Sequence, residues 1–85
     1  MPKENEYNHI DTFISNLEHE LPSYFTRQAA CRYIDGLYTP KYLANLDAKG
    51  LGPQKKIHIG KKVCYERKDF LAWLSSNMKH TETRN

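Results

Sequence analysis

The chain has 85 residues, 39% of them hydrophobic, with one Trp, six Tyr and three Phe, which suits one domain with a modest core and is too short for two. No run of about eighteen apolar residues is present to form a membrane-spanning helix. The opening MPKENEYNHIDTF lacks a basic segment followed by an apolar one, so the expected compartment is the cytoplasm. The net charge of +3 is unevenly divided: residues 1–21 hold one Lys against five acids, net −4, and residues 22–85 hold twelve Lys and Arg against five acids, net +7. A basic domain behind an acidic leader points to a polyanionic partner.

In YNHIDTFISNLEHELP, Ile10, Phe13, Ile14, Leu17 and Leu21 fall three and four residues apart, an apolar stripe on one face of a helix. Pro22 supplies no N–H and disfavours helix before it, so residues 1–21 form an N-terminal amphipathic helical unit. The stripe is expected to pack on the rest of the domain or on a copy of itself, with Ile10, Phe13, Ile14 and Leu17 as the self-association candidates.

Residues 22–77 form the next unit. Tyr24 and Phe25 read as extended, and Thr26 caps a helix over roughly Arg27 to Ile34, with small Ala29 and Ala30 allowing close approach and Tyr33 and Ile34 on the buried side. Gly36 turns the chain. Thr39 then caps a second helix whose first residue, Pro40, has no N–H to lose. Leu43 and Leu46 face inward, Lys41, Tyr42, Asn45 and Lys49 face outward, and Gly50 ends the helix. KKIHIGKKVCYE alternates polar and apolar residues around Gly60-Lys61-Lys62 and predicts a two-stranded hairpin, with Ile57, Ile59, Val63 and Tyr65 inward. A last helix carries Phe70, Leu71, Trp73 and Leu74. Residues 78–85 read as a flexible polar tail.

Cys31 and Cys64 are far apart and read as small packed side chains. With His9, His19, His58 and His80 scattered, no paired ligand spacing suggests a metal. No nucleophile, base and acid set or Gly-rich phosphate loop appears, so neither an enzyme nor a cofactor is expected. Asp47 and Asp69 read as solvated or capping acids.

Two short helices joined by a Gly-containing turn, followed by a basic hairpin, fit a winged helix-turn-helix within an α+β, mostly α fold. An extra N-terminal helix precedes this unit, and a C-terminal helix closes it. In that motif the second helix enters the major groove of double-stranded DNA by its N-terminal end, here Thr39, Lys41 and Tyr42, with Asn45 one turn later. Lys can donate to guanine or phosphate, Asn can pair with adenine, and Tyr can meet a thymine methyl or a phosphate. Lys49 lies further along the same helix. Lys61 and Lys62 suit phosphates or the adjacent minor groove, and Arg27 a backbone phosphate.

Three pieces in order, FTRQAACRYI, TPKYLANLDAKGLGP and KKIHIGKKVCYERKDFLAWL, resemble the AlpA-like and excisionase-type winged helix-turn-helix proteins, related in fold to the MerR DNA-binding domain. The resemblance runs from about Tyr24 to Leu74. It implies a DNA-binding protein of a mobile element that helps an integrase excise DNA, regulates integrase or prophage genes, or does both. It also implies contacts from Lys41, Tyr42, Asn45, Lys61 and Lys62. The turn DGLY is longer than is usual for that family, and the leader helix lies outside it. From the residues alone, a protein-interaction module working through the leader stripe is the remaining alternative.

Overall fold

The computed structural model describes residues 9–78. Within them four helices and one three-stranded antiparallel sheet follow in the order α1 (His9–Glu20), β1 (Tyr24–Thr26), α2 (Arg27–Tyr33), α3 (Pro40–Ala48), β2 (Lys56–Ile59), β3 (Lys62–Glu66) and α4 (Arg67–Ser76). This is a mostly helical α+β domain. No helix among the described residues is long and apolar enough to cross a membrane.

Side-chain caps set the helix starts. The Thr26 hydroxyl accepts the Ala29 N–H at 3.1 Å, the Thr39 hydroxyl accepts the Tyr42 N–H at 3.0 Å, and Glu66 accepts the Asp69 N–H at 2.8 Å. Both α2 and α3 end in paired backbone bonds that return to the last turn, Gly36 N–H to Cys31 O at 2.8 Å and Leu51 N–H to Leu46 O at 2.9 Å. These ends need a left-handed residue. After α3 it is Gly50 at φ +76°, but after α2 it is Asp35 at φ +57°, one of the few side chains that tolerate this region. Strands β2 and β3 join through Gly60 and Lys61, with positive φ at Gly60 alone, the pattern of a type II′ hairpin turn.

The hairpin expected as two strands gains a third. β1 pairs along β3 on the side opposite β2, Phe25 facing Tyr65, so the sheet order is β1-β3-β2. The pairing also corrects the face of β2. Lys56 lies opposite Tyr65 and His58 opposite Val63, so these two share that sheet face, Lys56 half-buried and His58 exposed at its edge. Ile57 and Ile59, expected inward, lie opposite Cys64 and Lys62 and are exposed. A one-residue change of phase moves every side chain of a strand to the other face.

The core draws on every element except β2: Leu17 and the adjoining Leu21 from α1, Phe25, Ala30 and Cys31 with Ile34, Leu43, Val63 and Tyr65, and Phe70, Leu71 and Leu74. Leu17 of α1 is thus engaged within the chain, with Phe13 and Ile14 packed half-buried beside it. Arg67 ties the end of this helix to α4, donating from Nη1 to Leu21 O at 2.9 Å. Tyr33, expected on the buried side, is exposed. Both cysteines are free thiols, Cys31 buried and Cys64 half-buried. Of the expected tail only Met78 is described, and it packs against the core; residues 79–85 lie outside the described residues.

Candidate nucleic-acid interface

Helix α3 is anchored from one side. Leu43 is fully buried, and one turn later the side chain of Asp47 is only 7% exposed. At 100° per residue this directs Lys41 and Asn45 away from the domain, with Tyr42 and Lys49 on one flank; all four are exposed. The Tyr42 ring packs on Tyr38 at 5.2 Å, and Tyr38 on Trp73 at 5.8 Å, so this tyrosine is steadied at its base while half of it meets solvent. Thr39 is exposed and uses its oxygen to cap α3.

Asp47 is neither a solvated nor a capping acid. Its Oδ2 accepts from Arg27 Nη2 and from the Tyr65 hydroxyl, both at 2.8 Å, and Arg27 Nε donates to the Tyr65 oxygen at 3.0 Å. Its Oδ1 is buried without a hydrogen-bond partner, 3.9 Å from Lys56 Nζ. A Cβ at Gly52 would collide with this oxygen, so glycine is required there for space. Residues from α2, α3, β2 and β3 therefore meet at one carboxylate. Arg27, expected at a phosphate, is directed inward to this carboxylate. Asp69 likewise reaches across the chain, accepting the Lys55 N–H at 2.9 Å.

Burial, and secondarily the hydrogen bond and charge of Asp47, push the Tyr65 phenol far above its usual 10.0, outweighing the opposite pull of Arg27. A raised folded value means a contribution that is complete below the unfolded value and lost above it. Stability is therefore expected to decline as pH climbs past about 10, by up to about 1.4 kcal/mol per pH unit. Urea titrations between pH 9 and 11 check this, and Tyr65→Phe should flatten the decline.

Two clefts open on the surface beside these elements. One, of about 200 Å³, lies between the start of α2 and the hairpin tip and is lined by Thr26, Arg27, Gln28, Lys61, Lys62 and Val63. The other, of about 860 Å³ and wide open, runs between α2 and the start of α3, past Gln28, Arg32, Asp35 and Thr39. Gln28 lines both. Among the lysines and arginines of the described residues, only Arg27 and Lys56 have a carboxylate within ion-pair distance, so Arg32, Lys41, Lys49, Lys61 and Lys62 present uncompensated charge. Burial pushes the Cys31 thiol on this groove up, away from its reactive thiolate form.

The structure thus brings Arg27, Lys61 and Lys62 to one cleft and Thr39 to the groove that adjoins it, while Lys41, Tyr42, Asn45 and Lys49 line the exposed side and flank of α3. Sequence reasoning missed Gln28 and Arg32. Their spacing of four residues on the face of α2 opposite Ala30 was the available signal. No protein-family model, curated protein or solved structure matches the chain.

Proposed function

We propose that the chain is a winged helix-turn-helix protein that binds double-stranded DNA, with α2 and α3 as the helix-turn-helix and the β2–β3 hairpin as the wing. One observation carries this reading. The two clefts share Gln28, so the basic, polar cleft of Lys61 and Lys62 lies beside the broader groove, lined by Arg32, Asp35 and Thr39 among apolar neighbours, that leads to the N-terminal end of α3. A duplex laid there would meet Arg32, Lys61 and Lys62, none of which has a carboxylate within ion-pair distance, with Asp35 as the one acid along the groove. Helix α3 would offer Lys41 and Asn45 to base edges, while Lys61 and Lys62 hold the adjoining strand. Used as an excisionase-type directionality factor, several copies side by side would bend attachment-site DNA for an integrase, at a deformation cost on the order of a few kcal/mol. The same contacts at a promoter would make it a transcription regulator. A docking role for the α1 stripe has less apolar surface to draw on, because Leu17 and Leu21 are buried.

Binding to a duplex spanning an attachment site is expected to weaken with salt, log K falling against log salt with a slope near −4 to −5 for about five phosphates. Lys61→Ala with Lys62→Ala should weaken binding at least about tenfold on every sequence and flatten that slope by nearly two. Asn45→Ala should erode discrimination between sites by roughly tenfold while leaving the slope in place. Fluorescence anisotropy across a salt series reads all three. A flat salt dependence would sink the DNA reading, and footprints across an attachment site and an integrase promoter would separate excision from regulation.

A further inference from the structure

Resting on the duplex-binding reading above, we infer that the cleft between α2 and the hairpin tip seats one backbone phosphate, and that Arg27 passes to it from Asp47 while Lys56 takes over Asp47. The cleft carries Lys61 and Lys62 on one side and Arg27 on the other. Arg27 is held at Nε and Nη2, and its Nη1 makes no hydrogen bond among the described residues. A phosphate entering the cleft competes with Asp47 for the same guanidinium, and the planar fork of Arg suits two phosphate oxygens at once.

Leaving Asp47 buried and unpaired would oppose that transfer strongly. The second cation is already in place. Lys56 Nζ, held by Pro53 O at 3.1 Å, stands 3.9 Å from the orphaned Oδ1. That is about 1 Å beyond a charge-assisted hydrogen bond, within reach of a small rotation of a flexible side chain. Lys56 comes from the start of β2 and faces Asp47 because of the strand register, so the hairpin that carries Lys61 and Lys62 also carries the replacement. Phosphate capture at the tip and neutralisation of Asp47 at the base then belong to one event.

The test is the side-chain Nε–H signal of Arg27 in nitrogen-15 spectra of the whole chain, titrated with the footprinted duplex. The signal is expected to move on binding, with the bond to the Tyr65 oxygen lost. Alongside, Asp47→Asn should bind the duplex roughly fivefold tighter, a gain that disappears in an Arg27→Gln background. Lys56→Met should weaken binding by a similar factor in the wild-type chain and have no effect beside Asp47→Asn. An Arg27 signal unmoved at saturating duplex overturns the transfer, and so does an Asp47→Asn gain that survives in Arg27→Gln, which would be plain charge repulsion. If no duplex binds the wild-type chain, the DNA reading itself fails, an outcome distinct from binding with Arg27 unmoved. Should Asp47→Asn unfold, the wild-type spectrum still decides.

Discussion

Asp47→Ala is expected to lower the stability of the domain by about 3–5 kcal/mol, the range for removing one partner of a buried ion pair. The side chain is 7% exposed and Arg27 24%, so little solvent screens the pair. Its loss leaves the Arg27 guanidinium and the Tyr65 hydroxyl, both held at 2.8 Å, without their acceptor. For a domain whose whole stability is on the order of 5–10 kcal/mol, the midpoint of thermal unfolding should fall by more than about 12 °C. Circular dichroism in a urea series measures it. A loss below about 1 kcal/mol would place the pair with surface salt bridges and refute its role as the joint of the domain. Replacing the pair together, Arg27→Met with Asp47→Leu, should restore most of the stability, because apolar side chains of similar volume commonly do so.

Phe70→Ala should cost a comparable 3–5 kcal/mol by a different mechanism, the cavity left by a fully buried ring. Phe70 stands at the centre of the aromatic core, edge-on to Phe25 at 5.1 Å, stacked on Tyr65 at 5.4 Å and beside Trp73 at 5.6 Å. Phe70→Leu, which refills most of the volume, should recover more than half of the loss. If the alanine and leucine variants denature at the same urea concentration, ring packing is not what matters there.

The positions of these elements were legible because helix chemistry is local. A cap, a proline and a left-handed glycine lie within a dozen residues of one another, and Thr39, Pro40 and Gly50 bound α3 in the structure as they do in the sequence. The apolar stripes of α1 and α4 likewise gave the faces turned to the core, with Leu17, Leu21, Phe70, Leu71 and Leu74 buried and Ile10, Phe13, Ile14 and Trp73 half-buried. What was not legible depends on pairing across distance. Alternation in Lys-Ile-His-Ile gives the period of β2 but not its phase. The phase follows from the pairing with β3, which places Lys56 toward Asp47 and leaves Ile57 and Ile59 to solvent. β1 is three residues long, and although Tyr24 and Phe25 read as extended, nothing so short declares its pairing with β3. Asp47 resembles any helical acid until Arg27 and Tyr65, 20 and 18 residues away, fold onto it. For the candidate interface, the exposed residues of α3 followed from the wheel. The inward turn of Arg27 and the bridging place of Gln28 required the fold.

Trp73 is the sole indole of the chain, and two of its links lead to the ends of α3: its N–H donates to the Leu51 carbonyl at 2.9 Å, and its ring abuts Tyr38, which carries Tyr42. Nature has thereby installed an optical reporter beside the helix. Energy absorbed by Tyr38 and Tyr42 is collected at one emitter, so the luminescence of the unmodified chain registers whatever comes to rest against that flank.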